Sequence, residues 1–125
     1  MINGVFNEYD EPIVDLLVCG PAGEERMEFI VDTGFDGELT LHPALTAALD
    51  LRREGGQRVV LADGSEVTFP VCRASVVWNG KPRDVAVELS ETVALLGIAL
   101  LKGHELRMQL IPNGAVQISE LPGAS

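Results

Sequence analysis

Asp32-Thr33-Gly34, led in by Phe29-Ile30-Val31, sets one carboxylate at the end of an apolar run, beside a hydroxyl and a residue with no side chain. A carboxylate placed this way can do acid–base work if a second one lies a hydrogen bond away. Two such groups cannot both ionise, so they share a proton. The ionised member can then take a proton from water while the protonated member polarises a carbonyl, which is enough to hydrolyse an amide. One aspartate cannot fill both roles, and the chain contains a single Asp-Thr-Gly. Gly34 keeps the turn tight, and the Thr33 hydroxyl can brace it by donating to a backbone group. By itself the tripeptide is also ordinary turn chemistry at a strand end.

No competing chemistry stands out. His42 and His104 are far apart and fit no metal-ligand spacing. There is no Gly-x-Ser-x-Gly elbow and no phosphate loop, and Ser65 and Cys72 sit in no motif that would make them nucleophiles. No metal or organic cofactor is implied. Cys19 and Cys72 read as reduced residues of a packed core rather than a disulfide. The formal net charge of −10 argues against nucleic acid or an anionic membrane as a partner. Hydrophobic residues at 46% and charged residues at 22% fit a soluble globule. The 125 residues read as a single domain, 1–125. No apolar stretch is long enough for a membrane helix, and residues 1–5 lack the basic start and apolar centre of a signal peptide, so the cytoplasm is the expected location.

The elements that must hold Asp32 are mostly short strands. Residues 12–19 and 26–31 are β-rich and meet at the turn cluster Gly20-Pro21-Ala22-Gly23. Residues 38–41 read as a short strand, and His42-Pro43 opens a helical segment, 44–49. Residues 58–61 and 66–69 flank Ala62-Asp63-Gly64-Ser65, a hairpin signal. Residues 74–78 turn at Asn79-Gly80 into 83–89. Residues 93–97 are apolar, 98–101 can make one helical turn, and 105–110 with 115–118 close the chain as a hairpin. The expectation is an all-β protein, a small closed or partly closed barrel with one or two short helices. Trp78 is expected to pack rather than to bind.

In combination these features resemble the retropepsin-like aspartic proteases, single-domain enzymes of the clan that includes the retroviral proteases. Ile30-Val31-Asp32-Thr33-Gly34 matches the active-site strand and turn of that family, Leu95-Leu96-Gly97 its later hydrophobic–hydrophobic–Gly, and the hairpin at Asp63-Gly64 its flap. The longer strings around Asp32 and Gly97 look like the bacterial branch. The resemblance spans about residues 12 to 118 and implies a role for each matching residue. Asp32 would be catalytic and paired with Asp32 of a second subunit. Thr33 would hydrogen-bond across the dimer axis, and Gly34 would offer its backbone to substrate. Asp36 would contact substrate main chain, although Gly97 is followed by Ile98-Ala99 where the retroviral members have an arginine to pair with it. Ala62, Asp63, Gly64 and Ser65 would form the flap tip. Phe35, Leu61, Leu96 and Gly97 would border the cleft, and the terminal strands would add to the dimer interface.

The function expected is that of a homodimeric endopeptidase acting on peptide or protein substrates. The alternative is a catalytically silent dimeric module of the same fold that captures extended peptides. The intact Asp-Thr-Gly disfavours it, since binding alone has no evident need for that carboxylate.

Overall fold

The computed structural model describes residues 1–123, the side chains of Gln57 and Phe69 aside. The element order is β1 (Ile2–Phe6), β2 (Pro12–Gly20), β3 (Gly23–Val31), β4 (Leu39–Leu41), α1 (Pro43–Ala48), β5 (Arg52–Val60), β6 (Glu66–Trp78), β7 (Lys81–Leu89), β8 (Leu95–Leu96), α2 (Ile98–Leu101), β9 (His104–Met108) and β10 (Ala115–Glu120). No helix among the described residues is long and apolar enough to cross a membrane.

The strands form one sheet in the order β5-β6-β7-β4-β8-β3-β2-β1-β10-β9, and an added pairing of β6 with β2 closes its middle six strands into a barrel. Alternation explains the closure. Val14, Leu16 and Val18 of β2, Phe29 and Val31 of β3, and Val85 and Val87 of β7 all point inward and are buried. A barrel this narrow is filled by its own side chains, so the interior is core rather than pore. Trp78 is buried as expected, and its indole N–H donates to His104 Nε2 at 3.0 Å. Cys72 is buried and Cys19 half-buried, both unpaired.

The hairpin turns follow their residues. Asn79 and Gly80 both take positive φ, 52° and 79°, the primed geometry that matches strand twist. At the tip of β5–β6, Leu61 N–H donates to the Ser65 carbonyl at 2.8 Å and Gly64 sits at φ 86°, a three-residue loop closed by a left-handed glycine. His42 caps α1 by accepting from the Ala44 N–H at 3.0 Å, with Pro43 in the first turn.

β6 and β1 depart from the sequence expectation. β6 is one strand of 13 residues and runs through Pro70, where two separate strands were expected. Pro70 is tolerated because it lies opposite Gly56, where a register irregularity of β5 falls, and above the first β6–β7 pair, Val71 with Glu88. β1 was not expected as a strand; β2 and β10 supply its pairing on both sides. β10, in turn, lies between β1 and β9. The terminal strands are thus paired on both sides over part of their length: Gly4 and Val5 of β1 lie between β10 and β2, while Ile2 and Asn3 pair with β10 alone and Ser119 and Glu120 with β9 alone.

Candidate active site

The parallel pairing of β3 with β8 builds the site. The chain leaves β3 at Val31, loops through residues 32–38 and returns as β4, and β8 lies between the two strands. It pairs with β3 through Ile30–Leu95 and Val31–Leu96, and with β4 through Leu39–Leu96. Asp32 N–H donates to the Leu96 carbonyl at 2.9 Å, so the aspartate backbone is fastened to β8 at its last residue. The Phe35 N–H closes the turn onto the Asp32 carbonyl at 3.1 Å, and Asp32 Oδ1 accepts from the Gly34 N–H at 2.9 Å. The carboxylate is half-buried and aimed by its own turn, with Thr33 and Gly34 exposed beside it. That Oδ1 contact is the turn's side-chain hydrogen bond among the described residues. The expected brace from the Thr33 hydroxyl to its own turn is not formed.

Gly97 lies beneath the turn. Its N–H donates to the Glu38 carbonyl at 2.8 Å, while the N–H groups of Ile98 and Ala99 reach the carbonyls of Phe35 at 2.8 Å and Gly37 at 3.1 Å. A Cβ at Gly97 would collide with the Gly37 carbonyl and the Phe35 ring. Gly97 is buried and serves the packing of the turn, not the substrate contact expected of it. Leu96 needs the same correction. Its side chain is fully buried in the barrel, whereas that of Leu95, one residue earlier, faces outward and is half-exposed. The side chain presented outward at this strand end is that of Leu95, not Leu96. Phe35 is half-buried with its ring against Gly37 and Gly97, and Leu61 is exposed at the flap stem.

Two residues that sequence reasoning missed complete the support. Thr40, buried on β4, donates its hydroxyl to the Val93 carbonyl and accepts from the Leu95 N–H, both at 2.8 Å. It ties the approach of β8 to β4. The available signal was a hydroxyl in an otherwise apolar triplet, Leu39-Thr40-Leu41. Glu38 accepts from the Ala86 N–H of β7 at 2.9 Å and lies 4.0 Å from Arg83, whose guanidinium sits 5.6 Å from the Trp78 ring.

Asp36 is exposed and faces Glu88, whose carboxyl is pushed above its ordinary range by burial and then by the Asp36 charge. No described ion pair neutralises either group. At the flap, Asp63 Oδ1 accepts from both the N–H and the hydroxyl of Ser65, at 2.9 and 2.6 Å, which holds the Asp63 carboxyl below its ordinary range. Ala62, Asp63, Gly64 and Ser65 are all exposed at the hairpin tip.

No protein-family model matches the chain, and no curated protein does. Among solved structures, the EIAV protease complexed with the inhibitor HBY-793 is similar to it with a TM-score of 0.57. The match has 19% sequence identity and covers 78% of this chain and 90% of that one. The fold is therefore of the retropepsin-like aspartic protease type.

Proposed function

We propose that the chain is an aspartic endopeptidase that works as a homodimer, each copy supplying one Asp32. The observation that carries this reading is the geometry of the turn. A carboxylate is aimed by the Gly34 N–H and anchored to β8 at Leu96, in a retroviral-protease-like fold. One carboxylate alone lacks its acid or its base, and a two-fold axis beside the turn supplies the other. In the dimer the ionised Asp32 takes a proton from the attacking water while its protonated mate polarises the scissile carbonyl. Thr33, exposed and free of a partner in its own turn, bonds across the axis.

The substrate lies extended between the turns and the two flap tips at residues 62–65 and pairs its backbone as an added strand. Leu95 and Phe35 line the cleft near the carboxylates, Leu61 lines it from the flap, and Asp36 meets substrate main chain. The strings around Asp32 and Gly97 support a place in the bacterial branch of the fold.

The test is a peptide-cleavage profile of the purified protein beside Asp32→Asn, with near-UV circular dichroism to check the fold. The variant should keep fold and dimer and lose cleavage. Equal cleavage by both proteins would refute the assignment. Peptide binding without cleavage by the wild type would favour the silent module.

A further inference from the structure

Where β6 closes the barrel against β2, the outer face carries a cavity of about 510 Å³, within the size range of small-molecule sites. Two registered rows make its floor. Cys19 of β2 pairs with Ser75 of β6, and Ser75 with Asp84 of β7. Two residues away on β6, Arg73 pairs with Arg52 of β5. Paired residues share a face, as do residues two apart on a strand, so these side chains all lie on the outside. The turn after β2 makes one wall. The Ala22 N–H fixes it to the Leu49 carbonyl at 3.2 Å, and a Cβ at Gly20 would collide with that carbonyl. Cys19 lies about 20 Å along β2 from Ile13, whose partner Ile30 stands just before Asp32, so the cavity is remote from the catalytic turn.

Charge divides this cavity. Arg52 and Arg73 stand directly opposite each other, and like charges in that position weaken a sheet unless something bridges them. Glu54, at the cavity rim beside a bulge of β5, reaches Arg73 Nε only at 3.8 Å, longer than the about 2.7–2.9 Å of a charge-assisted hydrogen bond. Asp84 lies on the far side of Ser75. No described ion pair involves Arg52 or Asp84. Arg73 and Asp84 sit on neighbouring strands, two residues out of register, which sets their backbones roughly 8 Å apart. The cavity therefore holds opposite charges that face the same space without meeting.

We propose that this cavity binds a small zwitterion, an amino acid or short peptide with a free carboxylate and a free ammonium group. The carboxylate takes the guanidinium forks of Arg52 and Arg73, the ammonium meets Asp84, and the Ser75 hydroxyl serves the atoms between them. The ligand carboxylate bridges the two arginines and takes the place of Glu54 on Arg73. A simple anion is a poorer match, because Glu54 and Asp84 line the same cavity and the chain carries a charge of −10. A simple cation meets two guanidinium groups. Only a ligand with both signs complements both ends. An extended dipeptide separates its charges by about 7 Å, comparable to the offset between Arg73 and Asp84. The proposal makes no use of Asp32 and stands apart from peptide cleavage.

The test is an NMR titration of the isotopically labelled full chain with glycylglycine, at matched ionic strength because salt screens such contacts. N-acetylglycylglycine and glycylglycine amide, each lacking one charge, run beside it. Glycylglycine should shift the amides of Cys19, Arg73 and Ser75 saturably, and each capped analogue should bind roughly 3- to 10-fold more weakly. Arg52→Gln and Asp84→Asn should weaken glycylglycine by a similar factor. Glu54→Gln should tighten it about 2-fold, because a competing carboxylate is gone. All three side chains are exposed, so the core is untouched. Arg52→Gln should not lower Tm, since it relieves a like-charge pair. No saturable shift at the cavity overturns the proposal. N-acetylglycylglycine binding as tightly as glycylglycine would make this a site for carboxylates alone and also overturn it. So would an Arg52→Gln or Asp84→Asn variant that binds glycylglycine like the wild type.

Discussion

Thr40→Val removes a hydroxyl while keeping the shape of the side chain. In the native structure that hydroxyl satisfies the Leu95 N–H and the Val93 carbonyl, both part-buried beside β4. The substitution leaves each without that partner, at about 1–2 kcal/mol for a part-buried group, so roughly 2–4 kcal/mol together. A chain of 125 residues has an unfolding entropy of about 0.26 kcal/mol/K, so the expected fall in Tm is roughly 8–15 °C. Thr40→Ser keeps both hydrogen bonds and loses one methyl group, about 1 kcal/mol or roughly 4 °C. Calorimetry of the three proteins at one concentration makes the comparison, since a dimer's Tm depends on concentration. Because β8 fastens Asp32 through Leu96, kcat should fall in Thr40→Val more than in Thr40→Ser, measured below both transitions. Equal Tm values for the valine and serine variants would refute the claim that Thr40 ties β8 down.

Gly97→Ala should impair the site more than the fold, because the added Cβ meets the Gly37 carbonyl and the Phe35 ring of the turn. Overpacking of this kind costs about 1–3 kcal/mol, and a variant with wild-type kcat and Tm would show that the contact is slack. Glu88→Gln tests the carboxyl raised by burial and by Asp36. A folded-state value above the unfolded one means that the charged form is penalised at neutral pH. Stability should then rise as pH falls from neutral through the folded value, down to the unfolded one. Glu88→Gln should be more stable than the wild type at pH 7 and should lose that part of the slope, as read from urea midpoints across pH.

What could be read from the chain before its structure was whatever depends on local residues. Asp63-Gly64, Asn79-Gly80 and Asn113-Gly114 fixed three hairpins because their glycines or asparagines accept positive φ. Asp32-Thr33-Gly34 and Leu95-Leu96-Gly97 marked the two strand ends that meet. Long-range pairing was not available. β1 has little pattern of its own and takes its place from β2 and β10. The facing of Leu95 and Leu96 depends on the parallel register with Ile30 and Val31, and an unbroken apolar run does not say which of two neighbours points inward. Thr40 looked like strand filler because the carbonyl it serves, on Val93, is distant in sequence.

The shared site is tested most directly by mixing wild-type chains with Asp32→Asn chains, allowing subunit exchange, and measuring cleavage per wild-type chain. If two Asp32 carboxylates from two copies make one site, random pairing leaves about half the activity at equal amounts and about a tenth at ninefold excess of the variant. Activity per wild-type chain that is unchanged by the variant, with exchange confirmed, would contradict a site divided between two copies.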